Sequence, residues 1–271
     1  MCYLRKYLII ITILSIGFII FQFYNFIHKL YLKFKLERYL LKKNIFIITN
    51  DFCHCKDYRL NKFINFTIEC LTCNNKRIIN FEKENDIYYL LDNIKDSITF
   101  IIHTNGGESD LPNFLAYILK QKKIFVKTYI PQKALSAGSF IALSSNIIFM
   151  NWYSCMGPID TQINYDLGNE DEFEESFPAK FIKDVIKKNN AIVKLKAMEA
   201  ESYHQDDIFL LSKMFGKKKS KIIMKNFLNT KLSHSIRFGP KDLKNFGLNV
   251  KIGIPDEINN IFKTFLRIKE I

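Results

Sequence analysis

The sequence predicts an α/β fold with a mostly parallel sheet, preceded by an N-terminal helix that crosses a membrane. Apolar strand-like runs alternate with helical patterns between Asn85 and Met150, which is typical of parallel strands joined by right-handed crossovers. Tyr7 to Ile27 contains no formally charged residue over a length sufficient to cross the hydrocarbon core of a bilayer. Two of the apolar runs end in turns of small residues, where the backbone can bend sharply.

The N-terminal apolar span is interpreted as a membrane anchor rather than a cleaved signal peptide. It is long for a signal peptide, it is rich in Ile and Phe, and no small-x-small cleavage site follows it. Arg5 and Lys6 precede it, and a longer basic flank follows it at Lys29, Lys33, Lys35, Arg38, Lys42 and Lys43. The positive-inside rule then predicts a single-pass membrane protein with a cytoplasmic C-terminal domain, whose basic flank faces membrane lipid.

Three regions are predicted on this basis. Residues 1–29 form the transmembrane anchor, residues 30–62 a juxtamembrane stalk and loop, and residues 63–271 the globular domain. The chain has 271 residues, 48% of them hydrophobic, which is enough for one domain with an appendage. The net charge of +13 comes from scattered lysines rather than from aromatic–basic motifs, so we expect no nucleic-acid partner.

The elements before the central region are assigned from periodicity and turn residues. Apolar residues at helical spacing predict that the stalk begins as an amphipathic helix. The predicted elements, in order, are a helix at Leu30–Lys43, a strand at Ile45–Ile48, a loop at Asp51–Lys62, strands at Phe63–Cys70 and Arg77–Phe81, and a helix at Asn85–Lys95.

The later elements are assigned in the same way. Pro131 ends the strand predicted at Ile124–Ile130. A run with six acids and no base predicts a solvated loop at Asp166–Glu175. The remaining predictions are helices at Phe177–Lys196 and Glu199–Lys225 with a break near Gly216, a strand at Leu243–Val250, and a final helix at Pro255–Leu266.

Four cysteines could supply sulfur ligands to a zinc ion. They occur as the pairs Cys53/Cys55 and Cys70/Cys73, and the C-x-C half is an unusual spacing for a zinc knuckle. The alternative is a strand hairpin with unligated thiols, and disulfides are disfavoured in the cytoplasm. We expect the domain to fold without a metal ion.

One serine stands where a nucleophile would benefit from its surroundings. Ser136 lies in a small-residue turn between a strand and a helix, so free N–H groups and the positive end of the helix dipole are beside it. A nucleophile whose attack generates an oxyanion is favoured there. The alternative is a helix-capping serine that does no chemistry.

The motifs around this serine resemble those of the Clp/crotonase superfamily of serine peptidases, and most closely the serine dehydrogenase proteinase family. The resemblance covers roughly Arg77 to Asp256 and rests on HTNGG (103–107), LSAGS (135–139), IAL (141–143) and GPIDTQ (157–162). Asn105 and Thr161 replace two prolines of the family's pattern. The resemblance implies a spiral ββα fold, Ser136 as nucleophile, and an oxyanion hole formed by the N–H groups of Gly107 and Ala137.

The resemblance leaves the general base open. The turn after the nucleophile helix contains no histidine, unlike that of the Clp proteolytic subunit. Signal-peptide peptidases place a lysine in the window that here holds Lys180, Lys183, Lys187 and Lys188, of which Lys183 is the named candidate. His234, in the Ser-His that matches the family's Thr-His, is the second candidate, and Asp160 would orient it. His103 is expected to pack or to hold a backbone carbonyl.

These features predict a membrane-anchored serine peptidase without metal or cofactor. Its substrate would be a peptide or a membrane protein, and the resemblance implies a homo-oligomer. The alternative is a catalytically inactive Clp-fold membrane scaffold that has lost its base. An acyl-CoA enzyme of crotonase type is a third hypothesis, and Ser136 in the turn argues against it.

Overall fold

The structure is a computed structural model that describes residues 2–49, 77–81, 83–94, 96–166, 174–178, 191–228 and 233–270. The helices are α1 (Cys2–Lys43), α2 (Glu84–Asp92), α3 (Asp110–Gln121), α4 (Ala137–Leu143), α5 (Ala191–Phe227), α6 (Pro240–Asn245) and α7 (Asp256–Glu270). The strands are β1 (Ile45–Thr49), β2 (Ile78–Asn80), β3 (Ser97–Ile102), β4 (Phe125–Ile130), β5 (Lys133–Ala134), β6 (Ile147–Met150), β7 (Cys155–Met156), β8 (Gln162–Asp166), β9 (Glu174–Pro178) and β10 (Val250–Ile252).

The prediction of a transmembrane anchor is wrong. The predicted single-pass membrane location with a cytoplasmic domain, which depends on that anchor, is wrong as well. Among the described residues, no helix combines the length and the apolarity that crossing a bilayer requires. The prediction treated Tyr7–Ile27 as a separate span, whereas α1 is one helix that continues to Lys43. From Gln22 onwards, α1 carries polar and basic residues among its apolar ones: Gln22, Asn25, His28, Lys29, Lys33 and Lys35.

The described residues form two compact units, and α1 and α7 belong to the smaller one. Within it, α7 is strongly amphipathic and buries side chains at positions three and four apart, which is the pattern of a helix packed on one face. The two helices contact each other, and Leu36 and Leu40 of α1 are buried. An exposed ion pair joins Lys43 Nζ to Glu257 Oε1 at 3.7 Å.

The larger unit is built on a six-stranded sheet in the order β10-β6-β4-β3-β1-β2. Every neighbouring pair in this sheet is parallel, which confirms the predicted parallel α/β architecture. Towards one edge of the sheet, Ile47 of β1 pairs with both Ile78 of β2 and Ile101 of β3. The strands follow near-continuous apolar runs because both faces of a parallel sheet are covered.

Helices cover the sheet with their apolar faces. In α2 the residues Ile87 and Leu90 are fully buried, and in α3 the same holds for Leu115, Ala116 and Leu119. All seven residues of α4 are buried, although the helix has only two turns. Because α4 follows directly on Ser136, its burial fixes the position of that residue against the core.

Several predicted elements are confirmed and others are wrong. The strands around residues 45–48 and 124–130 and the final helix are present, and α5 has the predicted break at Gly216, where φ is 69° and ψ is 169°. The ends of the predicted acidic loop lie in β8 and β9, which pair antiparallel, and Phe177 belongs to β9 rather than to a helix. The four cysteines of the possible zinc site lie outside the described residues.

The strand predicted at Leu243–Val250 is largely wrong. Residues 240–245 form α6, and β10 begins only at Val250. Pro240 occupies the first turn of α6, and Asp242 Oδ2 accepts a hydrogen bond of 2.9 Å from the Gly239 N–H. Both features are start signals for a helix, and they outweigh the apolar residues that indicated a strand.

Candidate active site

A short ladder of backbone hydrogen bonds extends beyond the carboxyl ends of the central strands. Thr104 pairs with Ala134, strand β5 pairs with β7, and Met156 pairs with Phe238. The Thr104 N–H donates to the Lys133 carbonyl at 3.2 Å, and Met156 and Phe238 exchange hydrogen bonds of 3.0 and 2.8 Å. Four segments that are distant in sequence are thereby held side by side.

The hydroxyl of Ser139 ties this ladder to α4. Ser139 is fully buried, and its Oγ donates to the Ala134 carbonyl at 2.5 Å. The same Oγ accepts a hydrogen bond of 3.0 Å from the Gly157 N–H. The sequence analysis missed this role, and its only signal was a polar residue on the buried face of an otherwise apolar helix.

The backbone of Ser136 is held in an unusual conformation. Its φ is 48° and its ψ is −117°, a region that residues with a side chain seldom occupy. The residue is half-buried, and its side chain makes no capping hydrogen bond to α4. The helix-capping alternative considered from the sequence is therefore not what the structure shows.

Two glycines allow the chain to pass close to Ser136. A Cβ on Gly106, where φ is 105°, would lie 2.6 Å from the Ser136 Cβ and 3.4 Å from its Oγ. A Cβ on Gly138 would lie 2.2 Å from the Thr104 Cγ2. The glycine turn and the serine turn are thus in direct contact, which a side chain at either glycine would prevent.

Replacing Gly106 by Ala is expected to lower the free energy of unfolding by roughly 3 kcal/mol, because strain at positive φ adds to the clash with Ser136. Gly247→Ala is the matched control, because Gly247 also has a positive φ of 80° but nothing within 4 Å of the added Cβ. That control should lose only about 1 kcal/mol. Chemical denaturation measures both, and equal losses would refute the close contact.

Two backbone N–H groups near Ser136 are available to a ligand. The Gly106 N–H is occupied, because it donates to Thr104 Oγ1 at 3.0 Å. By contrast, neither the Gly107 N–H nor the Ala137 N–H has a hydrogen-bond acceptor within the described part of the chain. Gly107 and Ala137 both line the cavity that Ser136 lines.

An imidazole–carboxylate pair lies at the same cavity. His234 Nδ1 is 2.8 Å from Asp160 Oδ1, and the Asp160 side chain is only 2% exposed, whereas that of His234 is 32% exposed. Because a carboxylate only accepts hydrogen bonds, Nδ1 donates to Asp160, and in the neutral imidazole Nε2 is then left as an acceptor. Gln162 Nε2 donates to Asp160 Oδ2 at 3.0 Å and to its backbone carbonyl at 3.2 Å.

The cavity has a volume of about 260 Å³. It brings together Ser136, Ala137, Gly107 and His234, which were candidates from the sequence, and Asp160 lies behind His234. Lys183 and the other candidate lysines, Lys180, Lys187 and Lys188, lie outside the described residues. The other residues that line the cavity are Asn105, Glu108, Ser109, Asn113, Phe140, Ile159, Thr161 and Gln162.

His103 and Asn105, which the sequence analysis also singled out, both make hydrogen bonds near the site. His103 is buried at the end of β3, and its backbone N–H donates to the Ile48 carbonyl at 3.1 Å. Asn105, which replaces a proline of the family's pattern, accepts a hydrogen bond from Lys133 Nζ through its Oδ1. Among the described residues, no group of three or more His, Cys, Asp or Glu side chains could hold a metal ion.

A second buried carboxylate, which the sequence analysis missed, lies behind the cavity wall. Asp207 of α5 is 2% exposed, and its Oδ2 accepts a hydrogen bond of 3.0 Å from Thr161 Oγ1. Its Oδ1 accepts one of 3.3 Å from Asn113 Nδ2. Burial, opposed by hydrogen bonds from Thr161 and assisted by the charge of Asp160, raises the pKa of Asp207 to about 7.

A hydroxyl, an imidazole backed by a carboxylate, and two unoccupied N–H groups thus surround one cavity. These are the components that acyl transfer requires: a nucleophile, a base with a group that orients it, and donors for a developing oxyanion. Their convergence follows from the ladder, which holds residues 104, 134, 156 and 238 in adjacent positions.

Two uncharacterized proteins of Methanocaldococcus jannaschii are similar to this chain. MJ1495 is 29% identical over 178 residues, and MJ0137 is 25% identical over 177 residues. Each match covers 62% of this chain but only 56% and 58% of the two proteins, so the chain spans little more than half the length of these curated relatives.

Two solved structures align with most of this chain. A 1510-N membrane-bound stomatin-specific protease aligns over 81% of this chain and 83% of its own, with 17% identity and a TM-score of 0.41. ClpP1 from Listeria monocytogenes aligns over 81% and 97%, with 15% identity and a TM-score of 0.43.

A family model described as ClpP-like SDH-type serine proteinase matches residues 66–267. That range contains the glycine turn, the Ser136 turn and the segment that carries His234. Because it covers well over half of the 271 residues, the chain belongs to the ClpP-like SDH-type serine proteinases.

Proposed function

We propose that this chain is a serine peptidase in which Ser136 is the nucleophile, His234 the general base and Asp160 the residue that orients the base. The observation that carries the proposal is the bond of 2.8 Å between His234 Nδ1 and the buried Asp160 carboxylate, at the cavity that Ser136 also lines. Membership in a family of serine proteinases supports the same reaction class.

The proposed reaction begins with acylation of Ser136. His234 Nε2 takes the proton from Ser136 Oγ as this oxygen attacks the carbonyl carbon of the scissile peptide bond. The carbonyl oxygen becomes an oxyanion, which accepts hydrogen bonds from the N–H groups of Gly107 and Ala137. The imidazolium then gives its proton to the leaving amine, and the C–N bond breaks.

Deacylation repeats these steps with water as the nucleophile. His234 Nε2 removes a proton from the water, the oxygen attacks the acyl carbon, and the proton returns to Ser136 Oγ as the ester bond breaks. Asp160 remains ionised throughout, because its tasks are to keep the proton on Nδ1 and to stabilise the imidazolium. No metal ion or cofactor takes part in these steps.

A histidine base rather than Lys183 is favoured by the pairing with a carboxylate. A lysine acts as a base only when its surroundings lower its pKa towards neutrality, and a neighbouring carboxylate has the opposite effect. A histidine needs no such shift and gains orientation from the same carboxylate. The carboxylate of Asp160 therefore suits His234, and the proposal assigns no role to the lysines of the window 180–188.

The substrate in this proposal is a peptide segment in an extended conformation. The cavity lies beside the Gly106–Gly107 turn, where the absence of side chains lets another backbone approach closely. A homo-oligomer, which the family resemblance implies, is part of the proposal, and the mass of the purified protein in solution tests it.

Labelling with a fluorophosphonate probe tests the proposed function. Such a probe phosphonylates a serine only where a base and an oxyanion hole activate the hydroxyl, so we expect labelling of the wild type and none of Ser136→Ala. Ser235→Ala is the matched control, because Ser235 is an exposed serine next to His234, and it should be labelled as the wild type is.

The same experiment distinguishes the peptidase from the inactive scaffold. Wild-type protein that unfolds cooperatively but takes up no probe would favour the scaffold. Labelling that persists in Ser136→Ala would show that another serine is the nucleophile, and the assignment of this cavity would then be wrong.

A further inference from the structure

The buried carboxylate of Asp207 has no part in the proposed reaction, yet it contacts two walls of the cavity. It is 2% exposed, and it lies on α5, which contributes no lining residue to the cavity. Burying a carboxylate is unfavourable unless hydrogen bonds compensate for the lost hydration. The partners of Asp207 therefore indicate why the residue is there.

The first partner is Thr161, which lies between Asp160 and Gln162, whose side chains are 2.8 and 3.2 Å from His234 Nδ1. Asp160 accepts the hydrogen bond from His234, and Gln162 donates to both Asp160 Oδ2 and the Asp160 carbonyl. The bond of 3.0 Å from Thr161 Oγ1 to Asp207 Oδ2 anchors this turn from outside the cavity. A proline at this position, as in the motif that the sequence resembles, would have no hydroxyl to donate.

The second partner is Asn113, in the first turn of α3. Its Nδ2 donates to Asp207 Oδ1 at 3.3 Å, and its backbone N–H donates to the carbonyl of Ser109, which lines the cavity. One carboxylate therefore holds the start of α3 and the turn at residues 160–162 at a fixed separation. Both segments border the space that a substrate would occupy.

We propose that Asp207 is a positioning residue for the His234–Asp160 pair and that it acts through Thr161. This inference rests on the proposed function for its effect on rate, but the geometry it describes exists without catalysis. Without the anchor, Thr161 no longer binds α5, and the Ile159 N–H, which donates to the Phe227 carbonyl at 3.2 Å, still links the residue before Asp160 to that helix. The carboxylate that orients His234 then occupies a wider range of positions, and fewer molecules have Nε2 aligned with Ser136 Oγ.

The first test compares rates of peptide hydrolysis for variants of the two residues. Thr161→Val removes the hydroxyl at nearly constant volume, and Asp207→Ala removes the acceptor. Each should lower kcat by about tenfold with KM changed less than about twofold, because the loss concerns alignment rather than binding. The double variant should be no slower than the slower single variant, since both changes break the same link.

Two further variants separate positioning from general damage. Asp207→Asn keeps an oxygen that accepts the Thr161 hydroxyl, so its kcat should stay within about threefold of the wild type. Asp206→Ala is the matched control, because it removes an exposed carboxylate from the adjacent position of α5 and should leave kcat unchanged. If Asp207→Ala does not fold, Thr161→Val and Asp207→Asn still test the inference.

The second test observes the hydrogen bond between His234 and Asp160 by NMR, and it does not require an active protein. In Ser136→Ala protein, the Nδ1 proton between His234 and Asp160 should give a low-field NMR signal, which His234→Gln identifies by removing it. We expect this signal to persist when Asp207→Asn or Asp206→Ala is added. Thr161→Val or Asp207→Ala should broaden or remove it, because the proton then exchanges with water.

The outcomes of the two tests differ for the two proposals. If the wild type hydrolyses no peptide but the NMR signal responds as expected, the proposed function fails and the positioning role of Asp207 stands. If the wild type is active while Thr161→Val and Asp207→Ala change neither kcat nor the signal, the positioning role is wrong. Additive losses in the double variant would also overturn it, since separate effects would then be acting.

Discussion

Replacing Asp160 by Asn is expected to lower kcat for peptide hydrolysis by about 10⁴-fold while the fold is kept. The Asp160 Oδ1 accepts the Nδ1 proton of His234, and its Oδ2 accepts a hydrogen bond from Gln162 Nε2. An amide has one oxygen and one NH₂, so it can accept from only one of these two donors. Kinetics with a chromogenic peptide and a thermal melt of the same preparation measure both quantities.

The side chain of Gln162 determines whether the oxygen of the introduced amide accepts from His234 or from Gln162. Its Nε2 also donates to the Asp160 carbonyl, so turning the amide of Gln162 would break a second bond. The introduced amide therefore directs its oxygen to Gln162 and its NH₂ to His234. This arrangement favours the tautomer with the proton on Nε2, which cannot accept the proton of Ser136.

A second substitution gives a rescue experiment with a definite direction. Adding Gln162→Glu to Asp160→Asn supplies an acceptor for the introduced NH₂, so the amide oxygen can again face His234. We expect kcat of this double variant to be at least about tenfold higher than that of Asp160→Asn. Gln162→Glu alone should not raise kcat above that of the wild type, because Asp160 is intact. A double variant as slow as Asp160→Asn would contradict the tautomer argument.

The fold could be predicted from the sequence where burial leaves a pattern. Strand β1 is buried along its whole length, and β3 and β4 over most of theirs, so their near-continuous apolar runs were recognisable. Strands β5 and β7 have two residues each, too few for any periodicity, and their partners lie more than twenty residues away. The ladder that assembles the cavity was therefore not visible in the sequence.

The proposed general base, His234, could not be selected from the sequence, because its pairing with Asp160 depends on that ladder. His234 and Asp160 are 74 residues apart, and no local pattern relates them. The pairing of Met156 with Phe238 brings the segment containing His234 against the turn containing Asp160. Thr161 could be identified as a departure from the family's pattern, but its link to α5 could not.

Asp207 had a signal that the sequence analysis did not use. The buried residues Ala200, Leu211 and Met214 lie on one face of α5, and Asp207 occupies the same face, seven residues after the first and four before the second. An acid on the apolar face of a helix indicates a buried carboxylate with specific partners. The next residue towards the N-terminus, Asp206, is an exposed acid.

The buried carboxylate makes the stability of the protein depend on pH. The groups that act on Asp207 are Thr161 and Asp160 in the turn, Asn113 on α3 and Asp206 on α5 itself. Burial and, to a smaller extent, the two carboxylates raise its pKa to about 7, while hydrogen bonds from Thr161 oppose the rise. Asn113 Oδ1 has no hydrogen-bond partner among the described residues, and a protonated Asp207 could supply one if the amide turned over.

Asp207→Asn is therefore expected to stabilise the protein increasingly as the pH rises. The folded wild type holds the Asp207 proton to about pH 7, while the unfolded chain loses it near pH 4. The stabilisation from this proton is thus fully present below pH 4 and is lost as the pH rises through about 7, by at most about 4 kcal/mol.

The isosteric amide cannot ionise, so the variant keeps at pH 8 the stability that the wild type has lost. We expect the two proteins to melt within a few degrees of each other at pH 4 and the variant to melt about 10 °C higher at pH 8. Thermal melts of both proteins from pH 4 to 8 measure this difference. Asp206→Asn removes an exposed carboxylate whose charge is the smallest of the causes that raise the pKa of Asp207, so its difference from the wild type should change far less with pH than that of Asp207→Asn. If the difference in melting temperature between Asp207→Asn and the wild type changed no more with pH than the difference for Asp206→Asn, Asp207 would be ionised in the folded protein from pH 4 to 8. The buried carboxylate would then require a compensating charge, which the described residues do not supply.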